Sequence, residues 1–207
     1  DLKRENRPWS SVGAVELSGR VEKILDELTP HVHNKILLST KTLEHRRERI
    51  KQVAVESLSR LIKLDAVSQF HPKIFETPFD ELNGTRKVGD VTIDLSGRID
   101  RIDLSGDGKY FLIIDYKTGK ATLTLQKIYG GLSLQLAIYL GAAKNLSAID
   151  GREPGAMLYC LLRLSSGSGR NDDEANSKGV DDLKMPGLLR VDDAIKNAID
   201  STGNFVD

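Results

Sequence analysis

The sequence predicts an α/β (α+β) fold: a central mixed β-sheet with helices on both sides and an N-terminal helical segment. Three observations predict it. Helical periodicity fills the stretch from about Ser11 to Ala66. Period-two alternation and a glycine-rich hairpin signal follow between about Phe70 and Lys117. A helix and another apolar strand then come in turn, and that order gives a mixed rather than a purely antiparallel sheet.

In the helical part, Val21, Ile24, Leu25 and Leu28 follow the i, i+3, i+4, i+7 rule. Thr29-Pro30 ends that helix. A longer helix is expected from about Lys41 to Leu64, with Leu43, Ile50, Val53, Ala54, Leu58 and Leu61 as its apolar stripe. His45, Arg46, Arg47, Arg49, Lys51, Arg60 and Lys63 crowd its other face. Such a face reads either as solvated charge or as a phosphate-contacting surface, in which Arg46, Arg47 and Lys51 are the DNA-binding candidates.

The texture changes at Phe70. Lys73 to Phe79 reads as a short strand bounded by Pro72 and broken by Pro78. A β segment is expected from about Lys87 to Leu104, with Val91, Ile93, Leu95, Gly97 and Ile99 on one face. Ile102 and Leu104 have the opposite parity, which predicts a bulge or kink near Asp100 and Arg101. Ser105 to Lys109 is a hairpin loop. Tyr110 to Ile114 is apolar on both faces and should be a central strand. A helix is expected over Leu132 to Lys144, a buried strand over Gly155 to Arg163, and a last helix over about Asp192 to Ile199 capped by Asp192 or Asp193. Ser165 to Asp182 is a loop on composition. The expected division is 1–66 helical, 70–163 catalytic core, 164–187 loop and 188–207 C-terminal helix. IDLSG occurs twice, from Ile93 and from Ile102, as a coincidence within one meander.

Composition narrows the function classes. A chain of 207 residues fits one domain, or one domain with a helical appendage. With 30 basic and 30 acidic residues its net charge is zero, which excludes a histone-like polycation but not a local basic patch. One cysteine cannot form an internal disulfide or a four-cysteine metal site, and fits a reducing, cytoplasmic home. The longest apolar run, Ala156 to Leu162, is seven residues, so no segment of the sequence spans a membrane as a helix, and no signal-peptide pattern is present. The start at Asp1 without methionine suggests a piece of a longer protein.

The chemistry lies between Gly97 and Lys117. In a strand, Asp115 and Lys117 point to one side with Cα atoms roughly 6.5–7 Å apart, and Tyr116 points to the other. A charge ending an apolar strand needs compensation. A simple Asp–Lys pair supplies it in the plainest reading. The hairpin, however, brings Asp100 toward the same region, and Glu76 on another strand is a candidate third carboxylate. Carboxylate oxygens converging there suit Mg²⁺ or Mn²⁺, with a lysine beside a phosphate and its attacking water. Gln135 and Tyr139 stand at i and i+4 on one helix face. They read either as half-buried helix residues or as a pair addressing the same site. Asp103 should face away.

These residues resemble the PD-(D/E)XK nuclease superfamily in its RecB-like branch, and within it the nuclease domains of AddB-type helicase–nuclease subunits. The matching stretches are S-Q-F-H-P-K-I-F-E-T-P-F from Ser68, G-R-I-D-R-I-D from Gly97, I-I-D-Y-K-T-G from Ile113, Y-G-G-L-S-L-Q-L-A-I-Y-L from Tyr129 and K-M-P-G-L-L from Lys184. The resemblance implies a restriction-endonuclease-like core. It implies that Asp100, Asp115 and the Tyr116 backbone carbonyl hold Mg²⁺ (or Mn²⁺), with Glu76 as a further candidate ligand. It also implies that Lys117, Gln135 and Tyr139 complete a catalytic group. The implied activity is hydrolysis of DNA, as an exonuclease on single strands, beside an AddA-like helicase partner in the bacterial cytoplasm. A catalytically idle nuclease fold that binds DNA or scaffolds the complex is the alternative.

Two departures stand out. None of His31, His33, His45 and His71 matches the histidine ligand of many RecB-like domains. An iron–sulfur cluster is expected in AddB-type proteins, and Cys160 alone does not support one here.

Overall fold

The computed structural model describes residues 7–32, 39–79, 86–93, 95–119, 121–163 and 184–206. The chain divides into two units. The first holds residues 1–66 and 162–183, the second 67–161 and 184–207.

The first unit is built on α1 (Ala14–Leu28) and α2 (Lys41–Val67). The helix starts at Ala14, later than the helical pattern from about Ser11, ends before Thr29 as Thr29-Pro30 predicts, and Pro30 lies in a single 3₁₀ turn. Leu17 and Val21 of α1 pack with Val12, and Leu25, Ala54, Val55, Leu58 and Ile62 close around them. The apolar stripe of α2 therefore differs from the one expected: Val55 and Ile62 join it, and Ile50 is exposed. The N-terminal half of α2 is held by charge instead. Arg47 pairs with Glu22 at 2.8 Å and Asp26 at 2.7 Å, and Lys51 pairs with Glu22.

The second unit is the sheet. Its strands are β1 (Phe70–Phe79), β4 (Gly97–Ser105), β5 (Tyr110–Lys117), β6 (Glu153–Leu161) and β7 (Gly187–Leu189). A separate two-stranded hairpin joins β2 (Arg86–Val88) to β3 (Val91–Ile93). Among the described residues the order is β1-β4-β5-β6-β7, with β5 central as its two-faced apolar run predicts. β5 is antiparallel to β4 and parallel to β6, so the sheet is mixed.

Phe111 and Ile113 face one side of β5 and pack with Ile99, Ile102 and Tyr159 against Leu136, Ala142 and Ala143 of α4 (Gln135–Ala143). The short helix α3 (Leu125–Tyr129) precedes α4, and Ile128 lies against the same core. The side chains of Leu112 and Ile114 alternate to the other side. There, a Cβ on Gly155 would stand 3.3 Å from Leu112 Cδ2 and 3.4 Å from Ile195 Cγ2, which places α5 (Asp193–Ile199) against that face. Helices thus cover both sides of the sheet. Asp192 caps α5, accepting from the N–H groups of Ala194 and Ile195.

Three expectations need correction. The segment from Lys87 to Leu104 is not one strand: Gly89 turns it at φ 61°, and Val91 and Ile93 are 61% and 42% exposed in the hairpin instead of facing the core. β1 runs through Pro72 and Pro78, because an edge strand tolerates residues without an N–H. Residues 187–189 form β7, although the sequence reads them as the end of a loop and the start of the C-terminal segment. The loop expected over Ser165 to Asp182 lies outside the described residues, as does His33.

Candidate active site

The site forms where β4 and β5 part. Main-chain pairing between them runs from Leu104↔Phe111 to Arg101↔Ile114 and stops. One residue further, the Asp100 side chain takes over, its Oδ2 accepting the Tyr116 N–H at 2.8 Å. Ile99 and Ile102 lie in the same core cluster, so the strand changes phase between them, where the sequence predicts the slip. The neighbouring strand is irregular at the same level: Phe75 pairs with Arg101 and Thr77 with Ile99, and Glu76 between them is left-handed at φ 47°.

Asp115 ends the apolar run of β5 and is 1% exposed. Lys117 projects to the same side and places Nζ 2.6 Å from Asp115 Oδ2. The ammonium is the one donor that reaches the buried Oδ2 among the described residues, and it meets that oxygen off the ideal hydrogen-bond direction. Lys117 Nζ donates to Gln135 Oε1 at 2.6 Å, and Gln135 Nε2 donates to the Tyr139 hydroxyl at 2.8 Å. Both acceptors belong to α4, as the i, i+4 spacing predicts. The Tyr139 ring meets Phe79 edge-on, centroids 5.8 Å apart. Phe79 in turn needs Gly97, since a Cβ there would stand 2.8 Å from its ring. The Tyr159 ring lies 5.6 Å from Lys117 Nζ and flanks the ammonium. Asp100, Asp115, Lys117, Gln135 and Tyr139 are therefore linked as one site.

Burial pushes the Asp115 carboxyl above the ordinary carboxylate value; Lys117 pulls it down, and the nearby Asp100 charge raises it again. A carboxylate with a short supply of donors, facing a second one, is suited to a cation. Two carboxylates fit Mg²⁺ or Mn²⁺, which keep waters and use few protein ligands. Among the described residues no group of three or more His, Cys, Asp or Glu side chains is arranged to hold a metal. Glu76 is not gathered in: its side chain is 62% exposed and its partner is Arg98 at 3.7 Å.

The other candidates fall elsewhere. Arg46, Arg47 and Lys51 belong to the first unit. Arg46 is exposed, whereas Arg47 and Lys51 are engaged by α1 carboxylates. Cys160 is buried on β6 and forms no disulfide. His31 is exposed at the end of the 3₁₀ turn Thr29–His31.

Sequence reasoning singled out neither Phe79 and Tyr159, which flank the site, nor the pair behind it. Arg101 forks onto Asp103 with two contacts of 2.6 Å on the opposite face of the sheet. Its signal was present in R-I-D, since residues at i and i+2 of a strand share a face.

The chain matches the family described as "PD-(D/E)XK nuclease superfamily" over residues 10–199. It is 33% identical, over 96% of its length, to an ATP-dependent helicase/deoxyribonuclease subunit of the AddB type from Heliobacterium modesticaldum, covering 18% of that protein. The protein of the same name from Clostridium perfringens is 30% identical over 98% of the chain, with 19% of the relative covered. That of Symbiobacterium thermophilum is 34% identical over 74% of the chain, with 14% covered. The chain thus spans less than a fifth of the length of the curated relatives it matches.

Proposed function

The chain belongs to the PD-(D/E)XK nuclease superfamily, and from that premise we propose that it is a metal-dependent deoxyribonuclease domain hydrolysing phosphodiester bonds of DNA. Its mode is exonucleolytic on single strands, within a bacterial cytoplasmic helicase–nuclease complex that processes double-strand breaks beside an AddA-like partner. The names of its relatives support the helicase–nuclease setting. The observation that carries the reading is Asp115: a buried carboxylate with a raised pKa, near the Asp100 charge and with Lys117 as the one donor beside it among the described residues.

Asp100, Asp115 and the Tyr116 carbonyl are the groups that would hold Mg²⁺ or Mn²⁺, with Glu76 a candidate only after its side chain leaves Arg98. The ion supplies Lewis acidity to the phosphate oxygens when bound. Lys117 supplies a movable donor between Asp115 and the solvent side. It orients the attacking water or a phosphate oxygen and offsets charge developing on phosphorus. Gln135 fixes the Lys117 ammonium, and Tyr139 fixes the Gln135 amide in the orientation that leaves Oε1 toward lysine. Phe79 and the core beneath hold Tyr139. Arg46 remains the exposed member of the basic trio for local phosphate contact, an effect that weakens with salt.

The test uses labelled single-stranded DNA with Mg²⁺ or Mn²⁺. The wild-type chain is expected to release short products. Asp115→Ala and Lys117→Ala should each reduce the rate by about 10³-fold or more, with DNA binding retained in Lys117→Ala. Identical products from all three proteins, or cleavage by none, would overturn the assignment.

A further inference from the structure

The sheet carries a buried ionic group that the chemistry above does not use. Arg101 and Asp103 are each 2% exposed and lie on the face away from the metal-binding carboxylates. Arg101 Nε and Nη2 donate to the two Asp103 oxygens at 2.6 Å each, and Nη1 reaches the Tyr116 hydroxyl at 3.4 Å. A buried ion pair adds little net stability over apolar residues of the same volume, so stability is a poor account of its presence. Its position suggests a better one.

Tyr116 stands between Asp115 and Lys117, and β4 holds it twice. Its N–H is taken by Asp100 on one side of the sheet, and its hydroxyl is met by Arg101 on the other. Asp100 and Arg101 are consecutive, and Arg101↔Ile114 is the last paired position before the strands part. Where main-chain bonds end, side chains of two adjacent β4 residues grip one β5 residue. Asp103, opposite Leu112 inside the paired region, anchors the guanidinium in a fixed fork. Burial weakens the Arg101 cation, but the Asp103 charge and hydrogen bonds outweigh that and keep it charged.

We infer that Arg101, Asp103 and the Tyr116 hydroxyl form a clamp on the back of the sheet that sets the separation of β4 and β5, and with it the placement of Asp100 against Asp115 and Lys117. The two charged side chains and the Tyr116 hydroxyl are positioning groups that touch neither substrate nor metal; Tyr116 would meet the metal only through its backbone carbonyl. The inference rests on the nuclease reading only for its consequence in rate; the clamp itself is a statement about two strands.

Two variants test it. Arg101→Met/Asp103→Leu replaces the pair by apolar side chains of similar size, a change that commonly leaves folding intact. Tyr116→Phe removes one hydroxyl. Each is measured for single-strand cleavage, for melting temperature, and for hydrogen exchange of the residue 116 amide by nuclear magnetic resonance. The double variant should lose about 30-fold in kcat with KM for DNA unchanged, since a small misplacement at a reacting centre has effects of that order. Its residue 116 amide should exchange about 10-fold faster, while its melting temperature holds. Tyr116→Phe should change both readouts about 3-fold, in keeping with the long 3.4 Å contact. Wild-type exchange at residue 116 in both variants overturns the clamp, as does wild-type kcat in a folded double variant. Cleavage by none of the proteins overturns the nuclease reading instead, and the exchange rates then decide the clamp by themselves.

Discussion

Asp115 and Asp200 are both buried aspartates of the sheet unit, 1% and 2% exposed, and the chain treats them in opposite ways. Asp200 follows α5 and is saturated. Its Oδ1 accepts the N–H and hydroxyl of Thr202 at 3.0 and 2.7 Å, and its Oδ2 accepts the N–H groups of Phe205 and Val206 at 2.6 and 3.2 Å. Burial pushes its carboxyl up, but those hydrogen bonds outweigh burial and leave it below the ordinary value. Asp115 is equally buried, has one lysine beside it, and ends above the ordinary value. Folding completes one carboxylate and leaves the other short. The first is a knot in the C-terminal turn; the second keeps its oxygens for the metal that the proposed function would place there.

The strongest way to break this contrast is Asp200→Ala. It strands three backbone N–H groups in a buried turn and should lower unfolding free energy by about 3 kcal/mol, read by chemical denaturation. A loss under about 1 kcal/mol would mean that the turn does not depend on its carboxylate. A smaller effect of opposite sign is expected from Asp115→Asn. Because the fold disfavours the ionised form, removing the charge should stabilise the protein by about 1 kcal/mol at neutral pH while abolishing cleavage. Destabilisation there would show that the Lys117 contact outweighs burial.

Acid titration sharpens the contrast further. The Asp200 pKa lies below its ordinary value of 3.8, so its contribution is complete above that value and is lost as pH falls through the lower, folded pKa. The Asp115 pKa lies above 3.8, so the contribution of its protonated form is complete below that value and is lost as pH rises through the raised pKa. Melting temperatures from about pH 3 to about pH 7 should therefore show the advantage of Asp115→Asn over wild type opening as pH rises. The penalty of Asp200→Asn should stay constant down to about pH 4 and shrink only as pH falls below the ordinary value of 3.8. Parallel curves for both variants would contradict the opposite directions assigned to the two groups.

Much of the site was legible because it depends on short-range periodicity. Asp115 and Lys117 share a side by the period of a strand, and Gln135 and Tyr139 by the period of a helix. The two-faced apolar run of Tyr110 to Ile114 located the central strand, and the parity change after Ile99 located the opening beside it. What periodicity does not carry is which sheet an alternating run joins. Val91 and Ile93 alternate like core residues yet sit in a hairpin of their own. Three-residue β7 and five-residue α3 are too short to show a period at all. The Arg47 and Lys51 pairings depend on Glu22 and Asp26 of another helix, and no spacing within α2 reveals them. Asp103 could be placed away from the candidate metal ligands, but its bond to Arg101 follows from burial that only packing provides.

The edges of the sheet have one more consequence. β1 borders it on one side with Pro72 and Pro78 in the strand, a change of register between Pro72 and Ile74, and a left-handed residue at Glu76. Among the described residues β7 borders it on the other side with three residues. A foreign strand seeking to extend the sheet meets missing donors and a broken repeat at the first edge, and too short a template at the second. The irregularity of β1 beside the candidate site also guards a β-rich unit against edge-to-edge self-association.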